Sequence, residues 1–244
     1  PRTCTGEQLT WVRSLEWGYH KHPPLPTWLL WPAVQVLGLN AHTGELMGVL
    51  SKAVALGWFW SLMRRLRGPM DATVALMAAC CVVYYSRHLL LYNHNVVMLV
   101  LGVATADACW QAWQRRRLAW WACIGLYLGL GLLTKYQAVV SFVCVAVFFT
   151  ACGAWADPVH RRGALLAAAL SLVVVTPHLW WLQGQTSTPL SYAVQSSLGV
   201  GLGFSQRLAE IGAWLVEHVF NRGLGALILI CLLYTSDAAD DTPC

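Results

Sequence analysis

Lys21 and His22 sit side by side in the stretch GYHKHPPLPTW, residues 18–28, between Tyr19 and a pair of prolines. Proline fixes its own φ and pushes the residue before it toward extended backbone. A lysine and an imidazole just ahead of Pro23 are therefore presented at a defined place. Such a pair suits an anionic oxygen, a phosphate above all. A second lysine beside a tyrosine, Lys135 and Tyr136, stands in TKYQ. Asn93 and Asn95 in YNHN, and His178 in TPHLWWL, add polar side chains at the edges of apolar runs. Each has a plainer reading. The two lysines can reach out of a bilayer to lipid headgroups. Asn95 can be a helix cap, and His178 a satisfied polar group at a helix end.

The elements that must position these groups are membrane spans. Of the 244 residues, 57% are hydrophobic and only 11% charged, where a soluble domain carries about 25% charged residues. Fourteen tryptophans fit a chain with membrane–water boundaries. The formal charge of +5 does not point to nucleic acid, because the arginines fall between apolar runs and read as topology signals. The nine cysteines form no C-x-x-C pair and no zinc spacing. Most lie inside apolar runs and read as small packing residues. Neither a metal nor a cofactor is expected.

A transmembrane helix needs about 20 mostly apolar residues. Spans are predicted at about 45–63, 72–85, 96–113, 118–133, 138–154 and 164–182, with a seventh starting near Gly223. The fold class is all-α, a polytopic helical bundle. Arginine clusters at 64–67, 115–117 and 161–162 fall in alternate loops, so the positive-inside rule makes those loops cytoplasmic. Residues 1–44, about 86–95, about 134–137 and about 183–222 then share the outer side. That side gathers GYHKHPP, RHLLLYNHN, TKYQ and PHLWWLQGQ, the cationic, polar and aromatic residues of the chain. Segments 25–37 and 206–219 are predicted to be amphipathic helices lying in the outer interface.

Residues 1–44 thus form an outer loop with an interfacial helix, and 45–230 the bundle. The last stretch, CLLYTSDAADDTPC at 231–244, breaks the apolar pattern and reads as a translated sequencing adapter, to be set aside. With Pro1 at its start, the chain is expected to be a fragment cut at both ends, inactive by itself.

The order EQLTW, GYHKHPPLPTWLL, YNHN, GLYLGLGLLTKYQAVV, TPHLWWL resembles the membrane glycosyltransferases related to protein O-mannosyltransferases and the lipid A aminoarabinose transferase. The resemblance covers nearly all of residues 7–230 and implies a GT-C fold. It implies transfer of a sugar, hexosyl or pentosyl, from a polyprenyl-phosphate carrier to a lipid, glycan or protein acceptor in the cell envelope. The membrane would be a bacterial inner membrane, with the active face outward. An acidic residue of the first outer loop would take the acceptor's proton, and cations would stabilise the leaving phosphate. Tyr19, Lys21, His22, Asn93, Asn95, Lys135, Tyr136 and His178 match the substrate-binding side. The family's aspartate falls on Cys4, with Trp11 at its aromatic position; Glu7, one helical turn on, is the candidate substitute. Two other readings stand beside this one: a polytopic transporter, and an inactive homologue that binds carrier lipid.

Overall fold

The computed structural model describes residues 2–82, 85, 88–185, 203–229 and 231. No strand occurs among them. The helices are α1 (Arg2–Trp11), α2 (Leu25–Leu37), α3 (Ala41–Arg67), α4 (Pro69–Cys81), α5 (His94–Arg115), α6 (Leu118–Leu132), α7 (Val139–Ala151), α8 (Pro158–Gln183) and α9 (Phe204–Val216). Short 3-10 turns at Tyr136–Ala138 and Ala154–Ala156 flank α7, and a π-helical turn, Glu217–Arg222, follows α9.

Three helices, α3, α5 and α8, are long and apolar enough to cross a membrane. Among the described residues, three further expected spans form shorter apolar helices, Pro69–Cys81, Leu118–Leu132 and Tyr136–Ala151. Helix α4 stops at Cys81, where Val82 turns extended. Helix α6 has 15 residues, a rise of about 22 Å at 1.5 Å per residue, short of the roughly 30 Å hydrocarbon core. The seventh expected span is helical over 224–229, where the described residues nearly end, and the 231–244 tail beyond Cys231 lies outside them. Helix α2 occupies the predicted 25–37 segment. Helix α8 begins before Arg161 and Arg162 rather than after them. Asp157 starts it, accepting from the Val159 N–H at 2.9 Å, with Pro158 next; proline suits the first helical position because its missing N–H would be unsatisfied there anyway.

The chain packs as two units. In the second, residues 56–89 and 198–244, the apolar side chains of α9 (Phe204, Leu208, Ile211, Trp214) are exposed. The first unit, residues 1–55 and 90–197, carries the site. There α6 packs against α5 and α8. One end of this bundle is cored by Trp121, Ile124, Phe149 and Ala167. At that end Arg116 pairs with Asp157 at 2.5 Å, and the Trp121 Nε1–H donates to His160 Nδ1 at 3.3 Å. The loops bearing Arg115–Arg117 and Arg161–Arg162 therefore share one end of the unit. The opposite end is cored by Val12, Leu25, Leu30, Tyr92, Leu133 and Val175.

Helices α6 and α8 touch backbone to backbone. A Cβ at Gly125 would lie 2.5 Å from the Ala167 carbonyl oxygen and 2.6 Å from its Cα. Small residues permit such an approach in membranes. Gly125→Leu must push α8 away, a loss of at least about 1–3 kcal/mol. Thermal unfolding of the detergent-solubilised full-length protein checks this, and an unchanged melting temperature would refute the close contact.

Candidate functional site

The end of the first unit away from the arginines holds a cluster of titratable groups. Helix α1 is fastened there by Thr5, whose Oγ1 accepts from the Tyr92 N–H and donates to the Tyr92 carbonyl, both at 3.2 Å. The Tyr92 hydroxyl donates to the Pro26 carbonyl at 2.7 Å, and Thr27 Oγ1 donates to Gln8 Oε1 at 2.8 Å. These buried bonds fix α1, the start of α2 and the segment before α5 against one another. Glu7 and Trp11, four residues apart in α1, lie over one another on one face.

Trp11 stacks on Tyr19, ring centroids 5.1 Å apart and 8° from parallel, and meets the rings of His20 and His22 edge-on. That holds the loop against α1. Lys21 Nζ pairs with Glu7 Oε1 at 2.7 Å. The His22 ring lies against that of His94, at the first position of α5, with centroids 3.9 Å apart. Across the α5 start, Lys135 Nζ donates to Asn95 Oδ1 at 3.1 Å. One connected group thus runs Glu7, Lys21, His22, His94, Asn95, Lys135. All six side chains are partly open to solvent.

Electrostatics sets their charge states. Burial, reinforced by the Lys135 ammonium, pushes the His22 imidazole down to about 4, so it is neutral at pH 7. Burial also lowers the Lys135 ammonium below its ordinary value. The cluster offers two ammonium groups, one carboxylate already bonded to one of them, and two neighbouring imidazoles. A phosphate matches the cations, and a hydroxyl's proton matches the carboxylate. Among the described residues no three His, Cys, Asp or Glu side chains converge as a metal site.

The other expected residues lie apart from this group. Tyr19 is buried behind Trp11, its hydroxyl donating to the Ser14 carbonyl at 2.8 Å. Asn93, not Asn95, caps α5: its Oδ1 accepts from the Asn95 and Val96 N–H groups. Asn93 has the extended backbone a cap needs, whereas Asn95 is already inside the helix and turns its side chain to Lys135. Tyr136 and His178 form a separate pair beneath the loop, at 2.8 Å. Cys4 lies in α1, one turn before Glu7; its side chain is outside the described residues.

Sequence reasoning does not single out His94, the histidine of YNHN, or Lys52. Lys52 is fully buried within α3 and donates to the Leu91 carbonyl at 2.7 Å. A lysine inside an apolar run was its signal.

The family of dolichyl-phosphate-mannose-protein mannosyltransferases matches residues 21–181, well over half of the chain. The chain belongs to that family. It is 27% identical over 206 residues to the lipid A galacturonosyltransferase RgtD of Rhizobium johnstonii, a match covering 79% of this chain and 41% of the relative. It is 26% identical over 184 residues to the lipopolysaccharide core galacturonosyltransferase RgtA of the same organism, covering 73% and 36%. The chain therefore spans about two fifths of the relatives' length. Crystal structures of ArnT from Cupriavidus metallidurans share the fold, at 15–16% identity, 80% coverage of this chain and 38% of theirs. Their TM-scores are 0.63 for the apo state and 0.64 for the form bound to undecaprenyl phosphate. The architecture is an all-helical, GT-C-like membrane bundle.

Proposed function

We propose that this chain is the carrier-facing part of a membrane glycosyltransferase that moves a sugar from a polyprenyl-phosphate carrier to a lipid acceptor. The observation that carries the reading is the single cluster built from Glu7, Lys21, His22, His94, Asn95 and Lys135 at one end of the bundle. The relatives that act on lipid A and on the lipopolysaccharide core support a lipopolysaccharide acceptor and a hexuronic sugar. The ArnT fold with undecaprenyl phosphate bound supports the carrier. The arginine alternation supports an inner-membrane protein with this end outward.

The reaction is a displacement at the anomeric carbon. An acceptor hydroxyl oxygen attacks, and the bond from that carbon to the carrier's phosphate oxygen breaks. The electron pair leaves with the phosphate. Lys21 and Lys135 face the growing negative charge, as fixed cations should. The hydroxyl proton passes to a base. With cysteine at position 4, Glu7 is the carboxylate this cluster offers.

The full-length protein in nanodiscs is given synthetic polyprenyl-phosphate sugars and a lipid A acceptor, and products are read by mass spectrometry. Acceptor gaining one sugar residue is the expected result, with nucleotide sugars inert. Cysteine at position 4 favours a second reading, a homologue that binds carrier without transferring. Saturable carrier binding with no product from any donor would select it, and absence of both would end the transferase reading.

A further inference from the structure

His178 is fully buried, and both of its ring nitrogens are occupied. Nδ1 lies 2.6 Å from the Trp17 carbonyl oxygen. A carbonyl only accepts, so Nδ1 carries the hydrogen. Nε2 then holds the lone pair and accepts from the Tyr136 hydroxyl at 2.8 Å. No ring nitrogen is left for a substrate. The contacts around it are close. A Cβ on Gly18 would fall 2.4 Å from the Trp181 ring and 2.9 Å from His178 Cε1, so any larger residue there must displace one of these rings. Trp181 stacks beside His178 at 5.8 Å between centroids.

The loop has a second attachment. The Leu25 N–H donates to the Leu133 carbonyl at 2.9 Å. Residues 17–25 therefore form an arch with two feet, and each foot rests on the segment 133–136. One foot is Trp17 through His178 to Tyr136; the other is Leu25 on Leu133. Lys21 and His22 sit between the feet on the arch, and Lys135 sits between them on the segment below. Within the arch, the Tyr19 N–H donates to the His22 carbonyl at 3.1 Å.

We infer that His178 is a positioning residue: as a neutral bridge between the Trp17 backbone and Tyr136, it holds the loop bearing Lys21 and His22 at a fixed spacing from the turn bearing Lys135. Its part in transfer rests on the phosphate reading above. Its mechanical part does not. The bridge needs one donor and one acceptor on a short rigid unit, which imidazole supplies and a glutamine amide partly copies. A charged imidazolium would present two donors and lose its acceptor for Tyr136.

The test uses full-length protein in nanodiscs with 15N-labelled histidine. The His178 signals should show a hydrogen on Nδ1 and a bare Nε2, unmoved by undecaprenyl phosphate. His178→Ala should lower kcat/KM for the carrier-linked donor about 10-fold, because the two cation-bearing segments lose their alignment on the leaving phosphate. Tyr136→Phe should act in the same direction. The double variant should be no worse than the poorer single one, since both remove one bridge. His178→Gln should recover much of the loss. Signals that move on adding undecaprenyl phosphate would show direct contact and overturn the inference. So would an unchanged kcat/KM with a lowered melting temperature, or strictly additive variants. If the wild type transfers from no donor, the functional reading fails by itself. The bridge is then judged by the histidine signals and by amide exchange at 17–21, expected to quicken in His178→Ala; unchanged exchange would overturn it.

Discussion

Glu7→Gln in the full-length protein is expected to lower transfer about 10²–10⁴-fold, the usual worth of a positioned base, while donor binding survives. Glutamine is close to isosteric and can still accept from Lys21, so the 2.7 Å contact need not be lost. What disappears is the capacity to take the acceptor's proton. The substitution also relieves Lys21 of its counter-charge and makes that ammonium more available to a phosphate. KM for the donor should therefore hold or fall while kcat collapses. A loss confined to KM would show that Glu7 only orients Lys21. Full activity would show that the base lies elsewhere. Cys4→Asp separates the cases further: it stands one turn away in α1, and activity regained in the Cys4→Asp, Glu7→Gln protein would place the base at the family's position.

The sequence made the order of apolar runs legible, because burial in lipid leaves composition as its mark. It also made the cationic loop legible, because prolines announce a fixed backbone. Helix α2 follows its apolar pattern from Leu25 to Leu37 despite Pro32. Span lengths were less legible. Periodicity does not say where α6 gives way to the extended backbone at Lys135, nor that Gly125 is spent on contact with α8. Within the site, Lys21, His22, Asn95 and Lys135 were read from residue type and edge position. Their partners were not. The His22–His94 contact joins residues 72 positions apart, and the His178–Trp17 bond joins residues 161 apart. Such pairings depend on how helices pack, which one sequence does not encode locally. Lys135 looked like a snorkelling lysine because its neutral partner, Asn95, stands on another helix.

That neutral partner makes Lys135 the more consequential cation. Lys21 is matched by Glu7, so part of its charge is already spent. Lys135 donates to an amide and keeps its whole charge for a ligand, in surroundings where water is partly excluded and charge counts for more. Lys135→Ala is therefore expected to cost about 10²–10³-fold in kcat/KM, the scale found when one fixed donor to a developing anion is removed. Lys21→Ala should cost less. The reverse order would refute the argument from pairing. The same substitution has an independent signature. Lys135 is one of the causes holding the His22 imidazole down to about 4, and removing a neighbouring cation favours the imidazolium. Burial is the larger cause and remains, so the His22 value should rise only part of the way to its ordinary value, read by NMR titration. Imidazolium formed on acidification would then restore positive charge beside the phosphate. Transfer by Lys135→Ala, relative to wild type, should improve as pH falls from 7 toward 5. A flat ratio while the titration shows His22 charging in that range would mean that His22 does not face the phosphate.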